Sequence, residues 1–264
     1  MVQAPGNDLA GRVALVTGGT KGLGRGLTEA FLRAGANVVT CARTAADTCP
    51  EVDGRSAVFV AADLRDPAGA EAVVTATIGE FGRLDICVNS AGGSPPAAAA
   101  TVSPRFVERI VALNLLAPFY VAQRANAVMQ AQDDGGVIIN IGSISGNRPS
   151  PGTAAYGAAK AGLANLTGSL AMEWAPRVRV NCIVVGYLRT ERVELHYGDP
   201  AGVAAVERTI PMGRLVEASD VAAACLFLAS DPAAYLTGTT IAVHGGGEPP
   251  PFLAAARARP EASD

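Results

Sequence analysis

The chain has 264 residues, 49% hydrophobic and 17% charged, with a formal net charge of −3, a length that suits a single domain over 1–264 because chains divide into several cores only beyond roughly 250 to 300 residues. Mild acidity and the absence of a Lys/Arg run interleaved with aromatics argue against nucleic acid or an anionic membrane as partner, and no run of eighteen apolar residues asks for a membrane span. Cys41, Cys49, Cys87, Cys182 and Cys225 lack CxxC spacing, so no metal site is expected and most read as small buried residues; Met1–Ala10 has no leader pattern, so the expected location is cytoplasmic.

In chain order, the apolar run Arg12–Val16 predicts a strand, Thr17–Gly24 a glycine-rich turn, and the segment up to Arg33 a helix closed by Gly35. Strands are predicted over Val38–Cys41, Ala57–Ala61 and Leu84–Val88, with a helix over Pro67–Phe81 between the last two. After the turn Ala91–Pro96 come a long helix from about Pro104 to Gln130, a buried strand Val137–Ile141, a helix from about Thr153 to Trp174, and strands Val178–Val184 and Thr239–Val243. Seven short apolar strands alternating with helices imply a doubly wound α/β fold, its parallel sheet covered on both faces. Residues 187–212 interrupt the alternation as a loop-and-helix insertion after a strand's carboxyl end, where such insertions cover ligand crevices. The proline-rich tail, 248–264, is expected to lie over the surface or a neighbouring subunit.

The turn Thr17-Gly-Gly-Thr-Lys-Gly-Leu-Gly24 joins the first strand to the first helix, so its N–H groups and the helix dipole can hold a pyrophosphate, and Gly18, Gly22 and Gly24 permit close approach. Nucleotide choice depends on the end of the second strand, where an acid would favour a free ribose hydroxyl. There is none: Cys41-Ala-Arg43 offers a guanidinium for a 2′-phosphate, with Lys21 as a second cation, so NADP(H) is favoured over NAD(H). The plainer alternative is two solvated surface cations. Asp63 could accept from an adenine amino group or simply cap a helix.

Tyr156 and Lys160 are four apart on a predicted helix and share a face. A phenol titrates near 10, so acid–base service near neutrality requires stabilising its anion by roughly 4 kcal/mol; an ammonium at about 4 Å supplies about that at an effective dielectric of 20. Ser143, at the end of a buried strand, could polarise a carbonyl, and Asn114 lies in the preceding long helix. Singly, these are a turn serine, a mid-helix asparagine and a chance pair; together they make a constellation.

The glycine turn, Asn89-Ser-Ala-Gly92, Asn114, Ser143 and Tyr156-x-x-x-Lys160 occur in an order that resembles the short-chain dehydrogenase/reductase family over roughly residues 9 to 247. The resemblance implies a Rossmann-type fold in which Tyr156 is the general acid/base, Lys160 holds the nicotinamide ribose and acidifies the tyrosine, Ser143 orients the carbonyl and Asn114 supports a proton relay. It implies cofactor contacts at Gly18, Thr20, Lys21, Gly22, Leu23, Gly24, Arg43, Asp63, Leu64, Asn89, Ala91, Gly92, Tyr156, Lys160 and Gly186, with Leu188 and Thr190 near the carboxamide. A small-molecule carbonyl or alcohol substrate and a homotetramer or homodimer built on the long helices follow from it. Two departures stand out: Val185-Gly186 replaces the family's usual Pro-Gly, and His244, expected at the surface or a subunit contact, stands where an Asp is frequent.

The expected reaction is NADPH-dependent reduction of a ketone, reversible to alcohol oxidation, in a crevice framed by Gly93–Pro96, Ser145–Gly152 and Tyr187–Pro211. Its largely apolar lining suits a hydrophobic or 3-oxoacyl substrate, while Arg189 and Arg192 leave room for a charged tail. The competing readings are an NAD-dependent alcohol dehydrogenase and a non-catalytic nucleotide-binding regulator; the intact constellation argues against the second.

Overall fold

The apolar run after Arg12 forms β1 (Val13–Thr17), with every side chain buried, as a strand covered on both faces requires. The structure is a computed structural model that describes residues 9–45, 48–191, 193–250, 252 and 256. The chain continues through α1 (Gly22–Arg33), β2 (Asn37–Ala42), a small hairpin of β3 (Glu51–Val52) and β4 (Arg55–Ser56), β5 (Val58–Ala61), α2 (Pro67–Phe81) and β6 (Ile86–Asn89). Then follow α3 (Pro104–Val111), a π-helical turn (Ala112–Leu116), α4 (Ala117–Ala131), β7 (Gly136–Ser143), α5 (Ala154–Trp174) and β8 (Val178–Val185). The short α6 (Glu194–Tyr197) and α7 (Pro200–Glu207) precede α8 (Ala218–Ala229) and β9 (Thr240–Val243).

Seven strands form one sheet in the order β5-β2-β1-β6-β7-β8-β9, and every pairing in it is parallel. Successive side chains go to opposite faces. Ala14, Val16, Ile86, Val88 and Ile139 meet α1 and α8 through Leu27, Phe31, Val221 and Cys225. Leu15, Cys87 and Ile138 meet the other layer through Val73, Val121, Met129 and Leu170. The chain leaves β1 toward β2 on one side and β6 begins on the other, which opens a crevice at the strands' carboxyl ends.

The structure adds three features to the expected elements. The hairpin turns at Asp53 and Gly54, both with positive φ, the two-residue geometry that closes tight hairpins. Helix α8 is apolar nearly all round, so it has no amphipathic period to read. The single long helix expected from Pro104 is α3 and α4 joined by the π-helical turn. That helical run, Pro104–Ala131, is long and apolar enough to cross a membrane by length and composition; here it lies against α2, α5 and the sheet.

Cys41, Cys87, Cys182 and Cys225 are buried and Cys49 is half-buried, all as free thiols. With Val in place of Pro at 185, β8 stays in register one residue further, Val185 pairing with Ser143 on one side and Val243 on the other. Arg192 and most of the tail 248–264 lie outside the described residues.

Candidate active site

The glycine turn is built by close approach. Gly18 has φ +67°, and a Cβ there would come within 3.0 Å of the Ala91 Cα, while a Cβ at Gly24 would strike the Gly18 carbonyl. Thr20 is buried, Lys21 is exposed, and Gly22 and Leu23 are half-buried. Lys21 is the N-cap of α1 but its side chain makes no capping bond, so the first-turn N–H groups and the positive end of the dipole face the crevice. One residue the sequence reading did not single out organises the neighbouring turn: Thr17 Oγ1 accepts from both Ser90 N and Ala91 N at 3.0 Å. A hydroxyl on the last residue of β1 was the available signal.

Asn89 is buried within a polar chain. Its Nδ2 donates to Asn140 Oδ1 at 2.9 Å and Pro118 O at 3.2 Å, and Asn140 Nδ2 donates to Thr167 at 3.0 Å. Asn89 Oδ1 has no partner among the described residues. Asn114, fully buried in the π-helical turn, clamps Gly93: its Nδ2 donates to the Gly93 carbonyl at 3.0 Å and its Oδ1 accepts from Gly93 N at 2.8 Å. A Cβ at Gly92 would lie 2.8 Å from Asn114 Oδ1 and 3.4 Å from Lys160 Nζ, so the Ala91–Gly93 turn, Asn114 and Lys160 converge.

One turn of α5 separates Tyr156 from Lys160. The phenol lies within electrostatic reach of the Ser143 side chain, whose hydroxyl accepts from Ser145 N at 3.2 Å. Lys160 is 4% exposed; its Nζ donates to Ile141 O at 2.7 Å and lies 5.7 Å from the Tyr156 ring centre. Ser143, Tyr156 and Lys160 thus meet at the carboxyl ends of β7 and the start of α5.

The electrostatics correct one expectation. In the protein alone the phenol is not acidified: burial pushes Tyr156 above its ordinary value, with the Ser143 side chain opposing. Burial brings the Lys160 ammonium down from 10.5 to about 8. The ammonium is committed to a backbone carbonyl, and desolvation is the largest influence on both groups.

A stability consequence follows from the lowered lysine. Between pH 8 and 10.5 the unfolded chain holds a proton at this position that the folded chain has released, so stability rises with pH across that window and the penalty is complete below pH 8. Relative to Lys160→Met, the parent is expected to gain roughly 3 kcal/mol between pH 7 and 10.5, read by urea unfolding of both proteins at each pH. A stability difference that ignores pH would mean the ammonium is well solvated.

At the far end of the crevice Arg43, at the exit of β2, is exposed, and its charge reaches the Asp63 carboxylate. Asp63 does not cap α2; Asp66 does, accepting from Ala68 N. Instead Asp63 is gripped by Arg65 through both Nε, at 2.9 Å, and Nη2, which holds its carboxyl below the usual range. Leu64 beside it is buried.

Gly186 leaves no room for a side chain, since a Cβ there would sit 2.8 Å from His244 Cα. His244 is half-buried behind the β8 exit. Leu188 bridges to Val216. Thr190 lies against the glycine turn: a Cβ at Gly22 would be 3.8 Å from its Cγ2. The insertion packs an apolar cluster of Val203, Ile210 and Leu215 with Tyr187, Val193 and Tyr197. Tyr187 and Tyr197 meet edge-on at 5.7 Å, and Tyr197 lies within electrostatic reach of Tyr156.

Arg148, in the loop before α5, donates to Tyr187 Oη at 3.2 Å and pairs with Glu248, which also accepts from Tyr187. This clasp joins three segments up to 100 residues apart, and no sequence pattern announces it.

Residues 18–248 match the family described as enoyl-(acyl carrier protein) reductase. The 3beta-hydroxysteroid dehydrogenase 1 of Eggerthella lenta is 38% identical over 91% of this chain and 95% of its own. The 3-oxoacyl-(acyl-carrier-protein) reductase FabG of Escherichia coli is 36% identical over 90% of this chain and 98% of its own. The structure of RhlG from Pseudomonas aeruginosa, an NADP active-site complex, superposes with a TM-score of 0.84 at 35% identity, covering 92% of this chain and 99% of that one. Fold, motif order and near full-length similarity agree that the chain belongs to the short-chain dehydrogenase/reductase family of oxidoreductases.

Proposed function

We propose that this protein is an NADPH-dependent ketone reductase whose catalytic groups are Tyr156, Ser143, Lys160 and Asn114. The observation that carries the reading is the convergence of the half-buried Tyr156 and Ser143 side chains beside an ammonium fixed on Ile141 O. A phenol held protonated by burial is a proton donor at neutral pH, the state that carbonyl reduction needs. Ser143 positions the substrate oxygen, Tyr156 delivers the proton, and Asn114 fixes the Gly93 turn along the crevice wall.

The cradle fits a dinucleotide. Gly18 and Gly24 allow a backbone approach that any side chain would block, and the first turn of α1 offers N–H groups to a pyrophosphate. Arg43 and Lys21 would hold a 2′-phosphate, Asp63 and Leu64 the adenine, Asn89, Ala91 and Gly92 the central ribose region, and Gly186, Leu188 and Thr190 the carboxamide. When bound, the nicotinamide supplies the hydride.

The apolar insertion and the steroid and 3-oxoacyl names of two relatives support a hydrophobic ketone or 3-oxoacyl substrate. A homo-oligomer through the long helices completes the proposal.

Titrating NADPH and NADH in parallel tests it. The parent is expected to bind NADPH more tightly, and Arg43→Ala to weaken NADPH about ten- to a hundred-fold while leaving NADH nearly unchanged, the loss of one charge-assisted phosphate contact. Tighter NADH binding by the parent would instead support the NAD-dependent alcohol dehydrogenase reading.

A further inference from the structure

The segment after β8 reaches back to the glycine turn. Glu191 Oε1 accepts a hydrogen bond from Gly22 N at 3.2 Å, and its Oε2 would lie 3.8 Å from a Cβ on Gly22. Gly22 is the first residue of α1, whose N-cap side chain leaves the helix end uncapped. A carboxylate therefore rests on one N–H, that of Gly22, at the helix end whose dipole suits a phosphate.

The route of the chain makes this contact more than a local turn. In the sheet, β6 and β7 separate β8 from β1, so the segment from Val185 to Glu191 crosses the carboxyl edge of both strands to reach the glycine turn. Its stem is fixed: Arg189 N donates to Val216 O and Val216 N to Tyr187 O, each at 2.8 Å, and Arg189 pairs with Glu207 of α7 at 2.6 Å. Beyond that stem the segment lies over the crevice with Glu191 at its tip.

We infer that Glu191 is an internal competitor for the cofactor's pyrophosphate: it occupies the Gly22 N–H in the nucleotide-free protein and must leave, with the tip of the insertion, when a dinucleotide binds. The inference rests on the dinucleotide reading above and adds a residue that sets cofactor affinity from outside the glycine motif. An anion and a pyrophosphate cannot share one N–H, and if the carboxylate stayed nearby it would repel the phosphates. Either way it lowers apparent affinity, as any binding-competent state that is only partly populated does.

The test is direct binding, measured by calorimetry with NADPH for the parent, Glu191→Gln and Glu191→Ala, and repeated with inorganic pyrophosphate as a minimal probe. Both variants are expected to bind NADPH about two- to five-fold more tightly than the parent, the range spanned by an exposed anion at a helix N-terminus, and pyrophosphate more tightly too. Glu191 is exposed, so the fold survives both changes, and matching thermal melts confirm it. A parent that binds NADPH, with variants that bind it equally or more weakly, overturns the competitor role alone. A parent that binds neither NADPH nor NADH overturns the underlying cofactor reading.

Discussion

Tyr156→Phe is expected to cut ketone turnover by about a hundred- to ten-thousand-fold, the usual contribution of a positioned proton donor, with NADPH affinity nearly unchanged. The ring stays where it is, against Lys160 at 5.7 Å from ring centre to Nζ, and only the hydroxyl near Ser143 is lost. The fall therefore belongs in kcat, not in cofactor Kd. The direction of the phenol's displacement adds a pH signature. Because burial raises its value above the ordinary one, reduction by the parent should stay flat through neutrality, whereas alcohol oxidation, which needs the phenolate, should climb with alkaline pH. Undiminished turnover in the phenylalanine variant removes Tyr156 from the chemistry.

The second large effect is on folding and lies at the opposite end of the sheet. Asp85, 4% exposed, accepts from Val13 N at 2.8 Å at the start of β1. It also receives Arg12 Nη1 at 3.1 Å and Arg83 Nη2 at 2.6 Å. Asp85→Ala leaves a buried strand N–H without its acceptor and two guanidinium groups sharing the more exposed Asp134. Loss of about 3 kcal/mol is expected, toward the lower end for a broken buried ion pair because both arginines retain solvent. For a chain of this size that is a fall in Tm of about 6 to 12 °C. Urea unfolding should show it as a shifted midpoint with an unchanged slope. NADPH binding to the folded variant should be untouched, since the cluster lies at the amino ends of β1 and β6. A change below about 0.5 kcal/mol would place these charges among ordinary surface pairs.

The parallel sheet was legible because β1 reads as a short apolar run and β7 and β8 as predominantly apolar ones, interrupted only by Asn140, Arg179 and Asn181, the mark of strands buried on both faces. The catalytic group was legible because Tyr156 and Lys160 are one helical turn apart and Ser143 ends a buried strand; those spacings are local. What stayed hidden depends on contacts distant in sequence or on patterns with no period. Helix α8 offers no polar face, and the β3–β4 hairpin is too short for alternation. The Arg148–Tyr187–Glu248 clasp and the Glu191–Gly22 contact join residues 39 to 169 positions apart. Arg65 sits two residues from Asp63, yet nothing in that dipeptide spacing distinguishes a gripped carboxylate from an adenine acceptor. The acidified phenol was expected from a pairwise charge argument; in the protein alone burial displaces the phenol the other way, a cost that the pairing argument left out.

The π-helical turn at Ala112–Leu116 gives the long helical run a phase slip. One extra residue in the winding displaces everything after it by about 100° relative to an uninterrupted α-helix. The same rod can thereby aim an amide inward at residue 114 and, directly afterward, lay Val121, Ala125 and Met129 flat against the sheet. Without that slip residues 114 and 121, seven apart, would share one face of a regular helix, so the clamp on Gly93 and the floor of the α4 layer depend on the same turn.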